Sequence, residues 1–578
     1  MIALFGATGI IARRTCPFSA LKRPLATIGK RAMTTAKTIA VLDQEDLKDG
    51  QMKEVQFDSG KVLLSRLGDK VHATSAFCTH YGAPLVKGVL TADGRVVCPW
   101  HGACFNICTG DIEDAPAPAA LHSFQTHITD GKIYVTADPA NTTKDKLSRP
   151  PKLLSSGGEV GGAGVVIVGG GSGAFHATES LREHGYKAPI TIISQETNAP
   201  IDRTKLSKAL ITDASKLEWR TPADLKIKYG TTLRIGTTVT SVDTSNKTVT
   251  IENGKEILPY DTLILASGSV PRRLPIEGAD LESVCTFRNV QDTQKIESAC
   301  QEGKHLVVIG SSFISMELVG AVSKRNLALI HVIGLEQYPF EAVLGKEIGA
   351  GLKQFHQKQG VLFHSSTSVK AMRKDPGETL TKVELSNGAT IYADLIVMGV
   401  GVRPATDYLK KSGWELEKDG SVKVDELLRV PDRPDVYAIG DIATYPQLPG
   451  GTYRRIEHWN VAGNMGRAVG KTIAGSPQPF VKVPIFWSAQ GQQLRYCGID
   501  VGHDDIYIQG DPAELKFIAY YIKGGKVTAV ASMQNDPVVS KASELFRLGL
   551  MPSVDTIKAG QNLLDIDVSS VAANIHPK

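Results

Sequence analysis

The sequence lacks three features, and each absence narrows the classes of protein to which it can belong. No run approaches the roughly 18 consecutive apolar residues that a membrane-spanning helix needs. Eight cysteines in 578 residues are too few and too scattered for a disulfide scaffold, which favours a reducing compartment. Acidic residues are missing before Asp43, so the seven basic residues of that stretch account for more than the whole net charge of +5. The rest of the chain carries no basic excess, and we expect no nucleic-acid partner and no transmembrane segment.

The acid-free N-terminus is typical of a mitochondrial transit peptide, because import requires a positive amphipathic segment. Its basic residues are Arg13, Arg14, Lys22, Arg23, Lys30, Arg31 and Lys37. A disordered basic tail is the alternative interpretation. Met33 offers an internal start that would skip most of this segment and give a cytoplasmic form. We predict a transit peptide over residues 1–36 and a mitochondrial location, with the cytoplasm as the alternative.

The pattern of apolar residues changes along the chain and divides it into regions of different fold class. Short apolar strands broken by Gly and Asp turns, such as VLLSRLG and KIYVTA, predict an all-β domain over residues 37–140. Residues 141–162 are polar and rich in Pro, Gly and Ser, which is typical of a linker. Two strand–turn–helix units, VVIVGGGSGAFHATESLREHG and LVVIGSSFISMELVGAVSKRN, predict two Rossmann-like α/β domains. Strands and a final helix after residue 479 predict an α+β domain at the C-terminal end.

Two short loops in the all-β region each offer one thiolate and one imidazole. They are Cys78-x-His80 and, after seventeen further residues, Cys98-x-x-His101. A Rieske centre holds one iron of a [2Fe–2S] cluster with two cysteines and the other iron with two histidines, so loops with one of each fit it. A structural zinc site is the alternative, but it usually takes both cysteines from one knuckle and both histidines from a helix. We predict that these four residues bind one metal centre.

The segments CTHYGAPL and CPWHGACFN resemble the ligand loops of Rieske-type ferredoxin domains. Rieske proteins of respiratory bc complexes carry an additional cysteine in each loop, whereas Tyr81-Gly82-Ala83 and Trp100 leave no place for that disulfide here. In that high-potential class a Ser and a Tyr donate hydrogen bonds to the cluster, and this chain has Ala103 and Phe105 instead. Because such donors stabilise the reduced cluster, the resemblance implies a [2Fe–2S] cluster with a potential at the lower end of the Rieske range.

A glycine-rich turn follows the strand VVIV and opens a helix. In Gly169-x-Gly171-x-x-Ala174 the first glycine makes the tight turn and the second lets backbone amides approach a pyrophosphate at the helix N-terminus. Glu196 lies twenty-two residues beyond Ala174, after the strand ITIIS, and is a candidate ligand of ribose hydroxyls. The spacing predicts a dinucleotide site, although a single glycine-rich turn is weak evidence by itself.

Further segments resemble the ferredoxin-reductase-like flavoproteins, the group that includes apoptosis-inducing factor. They are PIDRTKLSK, LILASGSVPR, VYAIGD and RIEHWN, followed by FWSAQ near the C-terminal end. The resemblance implies FAD, and its implied contacts are Arg203, Lys208, Ala266, Gly268, Asp441, Trp459 and Trp487. It places Lys208 near the reactive N5 of the flavin and Trp459 against the ring. A cation beside N5 stabilises the anionic reduced flavin, so Lys208 and Trp459 are candidate catalytic residues.

The second strand–turn–helix unit departs from the usual glycine pattern. It keeps Gly310 but has Ser312 and Ser315 at the second and third glycine positions. Serine crowds a phosphate but can still donate a hydrogen bond to it. Glu317 matches the family's FIGLE glutamate, which lies near the nicotinamide, so the resemblance implies an NAD(P)H site with Glu317 as a candidate catalytic residue. A Rossmann domain retained only as a scaffold is the alternative.

The choice between NADH and NADPH depends on the residues after the next strand. Where relatives carry an acidic residue, this chain has Gly334, with Glu336 two residues later. No arginine stands ready for a 2′-phosphate, which favours NADH and leaves NADPH open.

The order of these regions is similar to that of Rieske-bearing, apoptosis-inducing-factor-like mitochondrial oxidoreductases of the pyridine nucleotide-disulfide oxidoreductase superfamily. The predicted domains are 1–36 transit peptide, 37–140 Rieske, 141–162 linker, 163–290 and 405–478 FAD-binding, 291–404 NAD(P)H-binding and 479–578 C-terminal reductase. The resemblance implies an NAD(P)H-dependent oxidoreductase that passes hydride to FAD and single electrons to the Rieske cluster and an unknown acceptor. The alternative is a cell-death or redox-signalling factor that acts mainly by binding a partner. The sequence predicts neither the acceptor nor the oligomeric state.

Overall fold

The computed structural model describes residues 35–447, 451–499 and 502–569, so the predicted transit peptide lies almost wholly outside the described residues. The chain falls into two compact units. The first contains the residues up to Pro151 and a segment that begins at Asn562, and the second contains Lys152–Gln561. Among the described residues, no helix is both long and apolar enough to span a bilayer.

Two antiparallel sheets form most of the first unit. In the strand Lys132–Ala137 every second side chain is buried, as expected of a strand that covers a core with one face. The six-stranded sheet has the order Lys37–Asp43, Lys132–Ala137, Ser123–Thr129, Lys70–Ser75, Gly60–Leu67 and Met52–Phe57. The four-stranded sheet has the order Val89–Leu90, Arg95–Val97, Cys104–Asn106 and Ile112–Asp114. The hairpin between its two central strands is the second predicted metal loop.

The first unit extends beyond residue 140, where the sequence places its end. Thr142 is buried, and Ser148–Arg149 pairs with Ala120–Leu121. The boundary between the units lies at Pro151, inside the segment 141–162 that its composition predicts as a linker. Composition indicates where regular structure is sparse, but it does not reveal a two-residue strand that pairs with a distant segment.

The segment that begins at Asn562 also belongs to the first unit, although it follows the C-terminal reductase region in the chain. Leu563 and Val568 are buried, and the Ala92 N–H donates a hydrogen bond to the Val568 carbonyl at 3.3 Å. The region predicted as one domain over residues 479–578 therefore ends with residues that complete the N-terminal unit.

Two five-stranded parallel sheets form the centre of the second unit. Strands such as VVIV and LIVM are buried throughout, as expected where both faces of a parallel sheet are covered. The first sheet has the order Thr231–Arg234, Ile190–Ile193, Val165–Val168, Thr262–Leu265 and Val436–Ala438. The second has the order Val284–Thr286, Leu395–Met398, His305–Ile309, Leu329–Ile333 and Val361–His364. Because the first sheet takes its last strand from residues that follow the whole second sheet, the second Rossmann-like domain is an insertion into the first.

The remaining elements of the second unit surround these sheets. A five-stranded antiparallel sheet near the C-terminal end has the order Ile485–Gln490, Gln492–Gly498, Lys526–Met533, Lys516–Lys523 and Asp505–Asp511. Smaller sheets contain Val239–Asp243, Thr248–Ile251 and Glu256–Pro259; Val369–Arg373, Thr381–Leu385 and Thr390–Ala393; Val422–Lys423, Ala443–Gln447 and Thr452–Arg455; and Ser269–Pro271 and Val402–Pro404. The helices are Ser172–Glu183, Thr204–Ala209, Pro222–Tyr229, Val290–Ala299, Phe313–Val322, Glu341–Leu344, Lys346–Gln357, Asp407–Lys411, Trp459–Ile473, Val538–Leu548 and Val554–Lys558. This architecture confirms the predicted fold class of two Rossmann-like α/β domains with an all-β N-terminal and an α+β C-terminal domain.

Candidate functional site

The two predicted metal loops share one backbone arrangement. In each loop the cysteine N–H donates to the carbonyl of the alanine five residues later, at 2.8 Å for Cys78 with Ala83 and 2.8 Å for Cys98 with Ala103. The glycine before each alanine closes the turn with φ of +74° for Gly82 and +69° for Gly102, a conformation that other residues adopt at a cost. The matching turns explain why two separate sequence segments present their side chains in the same way.

The four predicted ligands meet as two pairs. The Nδ1 atoms of His80 and His101 lie 3.0 Å apart, and the thiols of Cys78 and Cys98 are hydrogen-bonded to each other. All four side chains are buried. Burial, ahead of the neighbouring Cys98 thiol, raises the pKa of the Cys78 thiol, so a thiolate here requires a cation to balance its charge.

This paired arrangement fits a two-iron cluster better than a single ion. Among the described residues, no three His, Cys, Asp or Glu side chains converge on one ion position. A zinc site requires four ligands around one point, whereas a Rieske cluster takes two sulfurs on one iron and two imidazoles on the other. Backbone N–H groups of His80 and Tyr81 also donate to the Cys78 sulfur, and such hydrogen bonds orient the ligands of a cluster and tune its potential.

Two buried positions of the second loop and its following strand carry side chains without a hydroxyl. Ala103 and Phe105 are fully buried at the positions that carry Ser and Tyr in the high-potential class. The Tyr81 ring stacks on His80 with 3.8 Å between ring centroids. We therefore still expect a potential at the lower end of the Rieske range.

A cleft of about 1110 Å³ in the second unit brings together most of the predicted cofactor residues. The predicted residues that line it are Gly169, Gly171, Glu196, Arg203, Lys208, Ala266, Gly268, Ser312, Ser315, Glu317, Asp441, Trp459 and Trp487. Ala174 and Gly310 do not line the cleft. Ala174 is buried in the helix Ser172–Glu183, and a Cβ on Gly310 would lie 2.3 Å from the Gly399 carbonyl oxygen, so both act through packing.

The first glycine-rich turn leaves a cradle at the N-terminus of the helix Ser172–Glu183. Gly169 has φ of +117°, and a Cβ there would lie 2.1 Å from the Ala266 carbonyl oxygen. At Gly171 nothing lies within 4 Å of an added Cβ, so that space is open. Ser172 Oγ is buried at the cleft wall without a hydrogen-bond partner among the described residues. An open approach, an unused hydroxyl and a helix N-terminus together fit the pyrophosphate of FAD.

A row of charges crosses the same cleft. Glu196 Oε1 pairs with Arg203 Nη2 at 2.7 Å, and Arg203 Nη1 donates to the Arg288 carbonyl at 2.8 Å. Arg288 in turn pairs with Asp441 Oδ2 at 3.1 Å, to which Ser269 Oγ also donates at 2.7 Å. Burial lowers the pKa of Arg288 although Asp441 opposes the shift. Arg288 was not predicted from the sequence, because it follows a three-residue strand and lies far along the chain from Asp441.

A buried carboxylate joins three separate elements beside this row. Glu317 is on the helix Phe313–Val322, and its Oε2 atom lies 3.0 Å from Lys208 Nζ. Ser207 also donates to Glu317 Oε2, and Ser488 Oγ donates to Oε1 at 2.6 Å. Lys208 and Glu317, each predicted separately from the sequence, are therefore in contact, and two serines that were not predicted hold the carboxylate in place.

Aromatic side chains form another part of the cleft wall. Trp459 Nε1 is buried without a hydrogen-bond partner among the described residues, and the Trp459 ring stacks on Trp219 at 5.4 Å between centroids. His458 packs against Trp487 at 5.6 Å, and burial, followed by Lys208, lowers the pKa of His458 to about 3. The imidazole of His458 is therefore neutral at physiological pH. An apolar wall with an unused indole N–H fits a planar ring with acceptor atoms at its edge.

The second glycine-rich turn is adapted to its serines. Ser312 is exposed and begins the helix Phe313–Val322, where its hydroxyl is available to a phosphate. Ser315 is buried, and a Cβ on Gly399 would lie 1.9 Å from Ser315 Oγ. The third glycine of the motif normally lets the helix pack closely on the strand. Here Gly399, directly after the neighbouring strand Leu395–Met398, provides the space instead.

Three family models match successive parts of the chain. The family described as "Pyridine nucleotide-disulphide oxidoreductase" matches residues 163–466, the "Rieske [2Fe-2S] domain" matches residues 37–125, and "Reductase C-terminal" matches residues 485–562. These families confirm FAD, NAD(P)H and a [2Fe–2S] cluster as the cofactors of the chain.

Individual relatives lead to the same assignment. Apoptosis-inducing factor 3 of Homo sapiens is 38% identical over 518 residues, which are 88% of this chain and 84% of that protein. Rhodocoxin reductase of Rhodococcus erythropolis is 32% identical over 374 residues, which are 64% of this chain and 86% of that protein. The ferredoxin reductase for the CYP199A2 system from Rhodopseudomonas palustris has a similar structure, with a TM-score of 0.64 and 28% identity over 70% of this chain and 99% of that one.

A fourth comparison contains both a reductase and an electron carrier. The covalent putidaredoxin reductase–putidaredoxin complex matches with a TM-score of 0.62 and 26% identity, over 66% of this chain and 92% of that one. The chain thus belongs to the pyridine nucleotide-disulphide oxidoreductase family, as a ferredoxin-reductase-like, FAD-dependent NAD(P)H oxidoreductase that carries its own Rieske domain.

Proposed function

We propose that this chain oxidises NAD(P)H and delivers the electrons one at a time to an acceptor that the chain itself does not contain. The bound flavin supplies the exchange between a hydride and single electrons, and the bound cluster supplies one-electron transfer. The observation that carries the proposal is the contact of Glu317 with both Lys208 and Ser488, because it joins the FAD-binding, NAD(P)H-binding and C-terminal regions at one point.

The side chains at that point bind and orient rather than transfer protons. Lys208 is half-buried and brings a positive charge to the cleft, while Glu317 holds its ammonium and is itself held by Ser207 and Ser488. Trp459 and Trp487 exclude water from the same wall. Positioning and fixed charge are the contributions that hydride transfer between two cofactors requires of a protein.

We predict that Lys208→Met and Glu317→Gln shift the flavin midpoint potential in opposite directions. Loss of the cation lowers the potential because it no longer stabilises the anionic reduced flavin, and loss of the carboxylate raises it. Each shift is expected to be about 30 mV, the equivalent of about 1.4 kcal/mol for a two-electron couple. Redox titration of the flavin absorbance measures both shifts. Lys205→Met, on the same helix and outside the cleft lining, is the control, and shifts of the same sign would contradict the prediction.

Anaerobic stopped-flow mixing tests the function as a whole. NADH or NADPH is expected to bleach the flavin absorbance first and the Rieske absorbance second, with a Rieske EPR signal in the reduced sample. A flavin that neither nucleotide reduces would refute the proposal. A flavin that is reduced while the cluster stays oxidised would refute only the internal delivery of electrons.

We propose that the Rieske domain takes the place of the separate iron–sulfur or rubredoxin carrier that related reductases serve. Relatives of this chain include the rubredoxin reductase of Pseudomonas putida and the ferredoxin reductase component of the anthranilate 1,2-dioxygenase system of Burkholderia cepacia. Here the carrier is part of the chain, so the next acceptor receives its electron from the cluster. Adding soluble Rieske-type ferredoxin, rubredoxin and cytochrome c in turn to reduced protein and following reoxidation would identify the class of acceptor.

We also propose mitochondrial import through residues 1–36, with a cytoplasmic form from Met33 as the alternative. The support is the acid-free, basic composition of that segment. Residues 1–36 fused to a fluorescent protein are expected to direct it to mitochondria, and a cytoplasmic signal would refute the proposal. The alternative is a cell-death or redox-signalling factor that acts mainly by partner binding, and its support is the name of the relatives and the serines of the second glycine-rich turn. A variant without the Rieske loops separates the two functions, because signalling by partner binding would survive that change and electron delivery would not.

A further inference from the structure

The strand that carries Ser488 ends in a buried glutamine. Gln490 is the last residue of the strand Ile485–Gln490, and its side chain is fully buried. Its Nε2 atom donates to Ser488 Oγ at 3.0 Å and to the Phe313 carbonyl at 3.4 Å. Because a carbonyl only accepts hydrogen bonds, the contact with Phe313 fixes the orientation of the amide, with its NH2 group toward Ser488.

A buried histidine contacts the same amide. His356 is on the helix Lys346–Gln357 and is fully buried, and burial lowers its pKa to about 4 although the contact with Gln490 opposes that shift. An amide raises the pKa of an imidazole when its oxygen faces the N–H, so the Gln490 oxygen is the atom that faces the ring. Gln490 Oε1 and both imidazole nitrogens have no hydrogen bond of normal length and angle to a described residue, so each side chain offers what the other requires.

Packing at two glycines also places the histidine next to Glu317. A Cβ on Gly320 would lie 3.9 Å from His356 Cε1, and Gly320 is three residues after Glu317, on the same face of their helix. A Cβ on Gly491 would lie 2.2 Å from Phe355 Cζ, so the helix of the histidine also packs on the residue that directly follows the strand. The imidazole therefore lies where the helix of Glu317 and the end of the strand meet.

The hydrogen bonds of this group run in one direction, toward the carboxylate. Ser488 Oγ donates to Glu317 Oε1 at 2.6 Å and accepts from the Gln490 NH2 group. The imidazole of His356 is neutral at physiological pH, so it has one N–H to donate to the Gln490 oxygen. Each donor in such a chain is polarised by the one before it, which strengthens the last hydrogen bond. All four side chains are buried, so bulk water does not replace a missing member.

We infer that Gln490 and His356 are positioning residues for hydride transfer from the nucleotide to the flavin. They act through Ser488, which holds the Glu317 carboxylate where it meets Lys208. The inference rests on the proposed function and assigns two further residues to it. It gives the C-terminal domain a part in the reaction, through a strand whose end is packed between two helices of the NAD(P)H-binding region.

A double-variant cycle on the FAD-loaded full chain tests the inference. Flavin reduction is followed by anaerobic stopped flow at saturating concentration of whichever nucleotide reduces the wild type faster. Ser488→Ala is expected to slow it by about tenfold and His356→Leu by about fivefold. Because the chain is already broken at Ser488, the double variant is expected to be no slower than Ser488→Ala. His356→Gln keeps an N–H donor and is expected to recover most of the rate. Effects that multiply in the double variant would overturn the inference.

The matched control is a glutamine of the next strand. Gln492 begins the strand Gln492–Gly498 and is exposed, so Gln492→Leu is expected to keep the wild-type rate. Gln490→Leu is expected to slow flavin reduction by about tenfold. Flavin content and thermal unfolding show whether each variant is loaded and folded. A wild-type rate in a folded, flavin-loaded Gln490→Leu would also overturn the inference.

A second readout does not depend on turnover. In protein with isotope-labelled histidine, NMR is expected to show a neutral His356 ring at about pH 7 with an N–H protected from exchange, and His356→Leu identifies the signal by its absence. Ser488→Ala is expected to shift this signal, because it changes the partner of Gln490, whereas Gln492→Leu leaves it unchanged. A charged ring, or a signal that Ser488→Ala does not move, would overturn the inference. A flavin that neither nucleotide reduces would refute the proposed function itself, whereas effects that multiply would refute only the positioning role.

Discussion

Cys98→Ser is expected to lose the visible and EPR signals of the iron–sulfur cluster and to keep a flavin that NAD(P)H reduces. Cys98 provides one of two sulfurs in a donor set of two thiols and two imidazoles, and a serine oxygen is a poor ligand for iron in such a cluster. Electron delivery to a one-electron acceptor is expected to fall by about 100-fold or more, since the loss of a residue that only hydrogen-bonds to a metal ligand typically costs about 10- to 100-fold. Iron and acid-labile sulfide analysis, EPR and anaerobic flavin bleaching measure these effects separately.

The matched control is another buried cysteine of the same hairpin. Cys104 begins the strand Cys104–Asn106, is fully buried and is not one of the four ligands. Cys104→Ser is therefore expected to keep the cluster, with only a small loss of stability. Retention of a Rieske EPR signal in Cys98→Ser, or its loss in Cys104→Ser alone, would mean that the ligands have been assigned wrongly.

Gly171→Val is expected to abolish FAD binding without destabilising the apoprotein. An added Cβ at Gly171 meets no atom within 4 Å, so we expect the apoprotein to accept the side chain, which enters the space through which the pyrophosphate approaches the helix N-terminus. The affinity for FAD is expected to fall by about 100-fold or more, because the lost contacts include charge-assisted hydrogen bonds to backbone amides. Flavin content after purification and titration of the apoprotein with FAD measure the loss, and thermal unfolding of the apoprotein checks that the fold is intact.

Substitutions at two other glycines serve as controls for Gly171→Val. Gly161 also has open space around an added Cβ and does not line the cleft, so Gly161→Val is expected to bind FAD normally. Gly169→Ala places a Cβ 2.1 Å from the Ala266 carbonyl oxygen at a φ of +117° and is expected to destabilise the apoprotein itself. Normal flavin content in Gly171→Val would contradict the assignment of this turn to the pyrophosphate.

The parts of both sites that could be predicted from the sequence are those encoded within a few consecutive residues. Three local patterns are of this kind: the metal loops, the turn at Gly169–Gly171 and the segment containing Lys208. In the structure the two metal loops meet, and the turn and Lys208 line the cofactor cleft. Arg288 and Ser488 were not predicted. Each acts on a partner from a distant part of the chain, and a single basic or hydroxyl residue has no periodicity that would indicate such a contact.

Where a motif is incomplete, the sequence does not show how the structure compensates. The serine at position 315 suggests a weakened dinucleotide turn, but Gly399 provides the close approach from the facing strand end. The segment 141–162 has the composition of a linker, and its first part still pairs with Ala120–Leu121. Both outcomes depend on tertiary neighbours, which neither composition nor local spacing encodes.

The burial of Leu563 and Val568 in the first unit has a consequence for the order of events during synthesis. These residues leave the ribosome only after the whole of Lys152–Gln561 has been made. When the metal loops of a nascent chain have left the ribosome, Leu563 and Val568 have not yet been synthesised. The first unit therefore still lacks two side chains of its folded interior. Maturation of that unit has to wait for the rest of the polypeptide, so a chain truncated before Asn562 would leave part of its apolar surface open to chaperones and proteases.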